Sequence, residues 1–239
     1  MKNIDFIQMA YFTAPRPDPL DAGKIWELFY GAPGPDEFRR IPNTPGKQTV
    51  AAGTAAQKQI TIASQIGRID VTVNTMPDAP GEDHPFLESP EEILAELAQK
   101  AELLPESCPL LRGAFVLNQL LPFEGSATEM IEAKTGARFP INSIDPTIQY
   151  NIQVTEDGDP PLLVNQISTW SVANVQLFRF DSSGATPFAV KTDQRIVHKI
   201  DVNTAPNQSF QRGDVARVFR CLSSRAIARI ENTTSGSNA

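Results

Sequence analysis

Two aspartates, Asp70 and Asp201, sit in near-copies of one setting: Arg68-Ile69-Asp70-Val71 and Lys199-Ile200-Asp201-Val202, each leading into Asn-Thr, one further residue and a proline. Paired carboxylates could share general acid–base work, provided that they converge in a cleft that shifts a pKa. Each segment also has strand character, and successive side chains of a strand alternate faces. Ile69, Val71 and Val73 then share one side, opposite Arg68, Asp70, Thr72 and Asn74; Ile200 and Val202 oppose Lys199, Asp201 and Asn203 in the same way. A basic residue stands two before each aspartate on its polar side. Two solvated strand faces, each with an aspartate beside a cation, account for this pattern without a reaction. Arg68, Asp70, Lys199 and Asp201 form a candidate polar cluster between two halves, and no catalytic residue is assigned.

Other chemistry finds little support. His84 lies in Gly-Glu-Asp-His-Pro beside Glu82 and Asp83, and His198 falls on the apolar side of its strand with Ile196 and Ile200. With no second histidine at ligand spacing, no metal site is assigned. Thr44-Pro45-Gly46-Lys47-Gln48-Thr49 resembles the end of a phosphate-binding loop, but Ile41 stands where its opening glycine belongs. No Gly-x-Gly-x-x-Gly, calcium loop or Gly-x-Ser-x-Gly elbow occurs, and no cofactor is implied. Cys108 and Cys221 are the only cysteines, too few for a zinc spacing, and they are expected as reduced, packed thiols.

Two stretches could recognise a partner. The terminal segment carries Arg212, Arg217, Arg220, Arg225 and Arg229 against Asp214 and Glu231. The stretch from Gly31 to Thr49, with four prolines and Arg39, Arg40 and Lys47, is expected as one long loop, and long loops often carry contacts. Arg39, Arg40, Lys47, Arg217 and Arg220 are the candidate binding residues.

The elements that must position these groups follow from periodicity. The 239 residues, 41% apolar and 21% charged, suit an ordinary globular chain with a substantial core. A net charge of -7 opposes non-specific attraction to nucleic acid or anionic membrane. No apolar run approaches a membrane span, the start lacks a signal pattern, and a cytoplasmic location is expected. Asn3–Thr13 reads as a strand. A helix follows near Leu20, with Ile25, Leu28 and Phe29 inward and Gly31 as its stop. Ile60 to Asn74 reads as a hairpin. A helix begins at Ser89-Pro90, with Ser89 as cap. The second series is a strand at Arg112–Phe123, a short helix ending at Gly136, two or three antiparallel strands, and a final helix. In that helix Val215, Val218, Phe219, Leu222, Ala226 and Ile230 share one side.

The fold class is α+β, an antiparallel sheet with helices packed on one face. Its order suggests two pseudo-repeated β-α-β-β-α units. The halves are 1–108 and 109–231, which one continuous domain could join, with a disordered tail at 232–239. The closing strand Ile196–Thr204 and its helix resemble the ends of uncharacterised, sporadically distributed bacterial proteins. That resemblance covers about the last third of the chain, carries no catalytic residue, and implies an accessory role in a defence or mobile-element system. The reading is a non-enzymatic cytosolic protein-interaction component. A small-ligand binder or enzyme with a site between the halves comes second, and nucleic-acid binding through the arginine-rich helix third. Oligomeric state is not fixed by the sequence.

Overall fold

The computed structural model describes residues 2–16, 18–41, 48–75, 84–141, 143–180, 187–208 and 210–234, with side chains omitted at 177–180, 187–191 and 232–234. Among these residues the strands are β1 (Ile4–Thr13), β2 (Glu37–Ile41), β3 (Gln48–Ala55), β4 (Lys58–Gln65), β5 (Arg68–Asn74), β6 (Leu110–Leu121), β7 (Ile148–Glu156), β8 (Leu162–Phe180) and β9 (Pro187–Thr204). The helices are α1 (Ala22–Tyr30), α2 (Pro90–Ala101), α3 (Ala127–Thr135) and α4 (Asp214–Thr234). All nine strands form one antiparallel sheet in the order β2-β3-β4-β5-β1-β6-β9-β8-β7.

Strand alternation decides which side of the sheet the helices cover. Ile7, Met9 and Tyr11 of β1 align with Val73, Val71 and Ile69 of β5 and with Leu117, Phe115 and Gly113 of β6. Ile200 and Val202 of β9 continue the row. All of the apolar residues in these rows are 2% exposed or less, so they form the floor on which helices settle. Phe219 of α4 stacks on Tyr11 at 5.9 Å and meets Phe115 edge-on at 5.7 Å. Gly113 makes that approach possible, because a Cβ there would lie 3.1 Å from the Phe219 ring. The six residues expected on the inner side of α4 are all buried. Helix α3 sits on the same face farther out, where Ile131, Trp170 and Ile196 form a second, smaller apolar cluster.

Several expectations need correction. The stretch Gly31–Thr49 is not one loop: Glu37–Ile41 forms the edge strand β2, which carries Arg39 and Arg40, and β3 follows it. Strand β3 lacks bulky residues because α1 packs against it. Trp26 of α1 comes so close that a Cβ on Gly53 would lie 2.9 Å from its ring. Lys47 lies outside the described residues. In α1, Leu28 is 44% exposed, and the buried stripe is Ala22, Ile25, Trp26 and Phe29. Ser89 precedes α2 without a side-chain capping bond. The segment 232–239 is not a tail throughout, since α4 continues to Thr234, and 235–239 lie outside the described residues.

Candidate functional site

The echoed aspartates both project from the side of the sheet away from the helices, as alternation requires. Strands β1 and β6 stand between β5 and β9. Asp70 and Asp201 are therefore three strand spacings apart, about 14 Å. The structure brings Arg68 and Asp70 together: Nη2 donates to Oδ1 at 2.9 Å, and Nε lies 2.7 Å from Oδ2. Gln8 Nε2 adds a third bond to Asp70 Oδ1 at 2.8 Å. Asp201 does not take a cation. It accepts from Asn203 Nδ2 at 2.8 Å, while Lys199 is exposed. The four residues share a face but no cleft.

On the same face a connected polar row, not read from the sequence, runs from β6 across β9 and β8 to β7. Arg112 Nη2 of β6 donates to Asn203 Oδ1 at 2.7 Å, Asn165 of β8 donates to the same oxygen at 3.2 Å, and Gln153 of β7 donates to Asn165 at 3.0 Å. Phe12 lies between the two arginines, with Arg68 and Arg112 guanidinium carbons 4.9 and 5.7 Å from its ring centre. Asn203 is only 1% exposed on this helix-free side, so its amide is committed to the network. Such a row stiffens a sheet face through mutually polarising bonds. It presents no nucleophile–base pair.

The arginines of α4, with Arg212 just before it, divide into two groups. Arg212 reaches the Glu102 carbonyl, and Arg229 Nε donates to Gln166 Oε1 at 2.7 Å. Arg217, Arg220 and Arg225 instead line a cleft of about 370 Å³ with Glu156, Cys221 and Ser224. Around the helix Arg217 sits between the other two, with Arg220 about 60° to one side of it and Arg225 about 80° to the other. Glu156, the last residue of β7, pairs with Arg225. Burial, followed by the Glu156 charge, pushes the Cys221 thiol up to about 11, so the cleft wall there is neutral. Glu156 was invisible to the sequence reading, because its partner lies far along the chain.

The other candidates resolve simply. Arg39 pairs with Glu37 on exposed β2, and Arg40 lies 3.6 Å from Asp21, the N-cap of α1. His198 is 2% exposed and stacks on Trp170, and burial lowers its pKa to about 3, with Arg229 adding to the shift. Neutral throughout the physiological range, it packs as an aromatic. Among the described residues no group of three or more His, Cys, Asp or Glu is placed to hold a metal, and no helix is long and apolar enough to cross a membrane. No protein-family model, curated protein or solved structure matches the chain.

Proposed function

We propose that this protein is a non-enzymatic, cytosolic interaction component of an assembly, and that the β8–β9 ribbon is its contact arm. The observation that carries the reading is the length of that ribbon. β6 last pairs with β9 at Leu121 and Ile196, and β7 last pairs with β8 at Ile148 and Trp170. The β8–β9 ladder continues from Ala173↔Arg195 to Phe180↔Pro187, eight pairs or roughly 26 Å, and among the described residues no further strand lies beside it. A lone two-stranded ribbon is marginal in water. The sequence of its outer part includes Leu177, Phe178, Phe180, Phe188 and Val190.

A comparison of the halves supports treating the arm as an addition. Outward from the central pair the sheet runs β1-β5-β4-β3 on one side and β6-β9-β8-β7 on the other, with helices after matching strands. Superposing Asp70 on Asp201 carries Met9 onto Phe115, Ile60 onto Val164 and Ser64 onto Ser168 through the pairing registers. We infer two divergent copies of one β-α-β-β-β-α unit, with β2 an extra edge. In the first copy the hairpin closes at Gln65↔Arg68 around Ile66-Gly67. In the second the ladder runs on past the equivalent pair, Thr169↔Lys199, and becomes the arm four residues later. The resemblance of the closing segment to sporadically distributed bacterial proteins is consistent with an accessory assembly.

The test is co-purification from the native host of the tagged full chain and a variant whose arm is shortened to Ala173 and Arg195. The full chain is expected to bring a stoichiometric partner that the shortened, still folded chain loses. A lone monomer at native expression overturns the reading.

A further inference from the structure

At one corner of the molecule an open strand edge ends in a cleft of arginines. β7 is the last strand of the sheet, and among the described residues its outer edge has no strand neighbour. Its nine residues, Ile148–Glu156, include no proline and no lysine, the usual guards of an exposed edge. Ile152, on the helix side of that edge, is 43% exposed. The strand ends at Glu156, which is itself part of the cleft wall with Arg217, Arg220 and Arg225. Backbone groups and charge therefore lie end to end.

We infer that this corner binds an extended acidic segment of a partner protein, added as a strand along β7 with a carboxylate seated among Arg217, Arg220 and Arg225. Strand addition gives affinity through main-chain bonds, and side-chain sites beside the edge give specificity. The arginines are arranged to hold an added anion. Arg217 is fixed from behind, donating to the Pro160 carbonyl at 3.0 Å and lying 3.5 Å from Asp214. Gly158 leaves the space for it, since a Cβ there would run into the guanidinium. Arg225 is paired to Glu156. Arg220 is exposed, and among the described residues its one hydrogen bond runs from Nε to the Ala216 carbonyl of its own helix at 3.1 Å, which leaves its terminal amino groups to take an added anion.

Glu156 in the lining and Asp214 beside Arg217 offset two of the three arginines, which leaves Arg220 as the excess positive charge of the cleft on a chain whose net charge is -7. An acidic segment is thus repelled by the molecule as a whole and attracted at this corner. The cleft lining contains no aromatic ring on which a base could stack, which favours a peptide over a single-stranded nucleic acid. The inference shares with the proposed function only the choice of a protein occupant; its site is separate from the arm.

The probe is a fluorescein-labelled nine-residue peptide alternating Glu and Val, titrated with the full chain and followed by fluorescence anisotropy. Saturable binding is expected, weakened at least tenfold by Arg220→Glu and by raising salt, and lost when alternate peptide amides are N-methylated. The arm-shortened variant is expected to bind the peptide unchanged, so failure here and failure of the arm reading are distinguishable. Because Arg220 is exposed, circular dichroism should show the variant folded. Absence of saturable binding, equal binding by the N-methylated peptide, unchanged affinity in Arg220→Glu, or tighter binding of a single-stranded oligonucleotide of equal charge would each overturn the inference.

Discussion

Trp170 and His198 face each other across the β8–β9 ladder with ring centres 3.9 Å apart and planes 13° from parallel. The pair lies where the main core gives way to the small cluster under α3. On the same face and nearby, Gln119 is fully buried, with Oε1 3.4 Å from His198 Nδ1. This is a buried imidazole used for its shape.

That relationship predicts acid sensitivity. The folded-state pKa of His198 is lowered to about 3 from 6.5, chiefly by burial and then by Arg229, so the unfolded chain binds the proton more readily. The stability this contributes is full above about pH 6.5 and falls by roughly 1.4 kcal/mol per unit as pH drops toward 3. Asp5 acts oppositely: burial raises it to about 6 from 3.8, so its contribution improves as pH falls through that window. Urea midpoints of wild type and His198→Phe between pH 4 and 7.5 separate the two. The variant should be the less acid-sensitive chain, and parallel curves would contradict the assignment.

Gly53 should be nearly irreplaceable. A Cβ there lies 2.9 Å from both the Trp26 ring and the Asp36 amide nitrogen, so neither a side chain nor the backbone has room. Gly53→Ala is expected to cost about 1–3 kcal/mol through overpacking and to alter the fluorescence of Trp26. Gly34→Ala, with nothing within 4 Å of the added methyl, serves as the control and should stay within about 0.5 kcal/mol.

The two echoed aspartates should behave differently despite their matching contexts. Asp70 holds Arg68 through two oxygens, accepts from Gln8, and has a side chain only 14% exposed. Asp201 accepts one bond from a neutral amide. Asp70→Asn should therefore cost about 1–2 kcal/mol and Asp201→Asn less than about 1, as read by chemical denaturation. Equal costs would show that the Arg68 pair adds nothing.

What the sequence disclosed follows from which interactions are local. The inner side of α4 was legible because six apolar residues recur at helical spacing and all bury against one sheet. The Arg68–Asp70 pair was legible because residues two apart share a strand face. By contrast, β3 was hidden: Ala51, Ala52 and Gly53 are poor strand formers, and at Gly53 the small residue is required because Trp26 occupies the space above it. β2 was hidden because every residue in it is exposed, which leaves no alternation to detect. The Arg112–Asn203 bond joins residues 91 apart, and the arginine cleft depends on Glu156, brought in by the β7–β8 hairpin. Such links appear only once strand order is known.

The arm should be removable without harm to the body of the fold. Its first free pair, Ala173↔Arg195, lies four residues beyond Thr169↔Lys199, the pair that superposes on Gln65↔Arg68. An antiparallel ladder repeats every two residues, so Ala173 and Arg195 stand in the same phase as the residues that close the short hairpin. Replacing 174–194 by a two-residue Asn-Gly turn should therefore preserve register. Trp170, Ile196 and His198 all remain, keeping the apolar support for α3 intact. The thermal midpoint should stay within about 4 °C of the full chain, the shift expected for roughly 1 kcal/mol at this size. A collapse of the midpoint would show that the arm belongs to the core architecture and is not an addition to it.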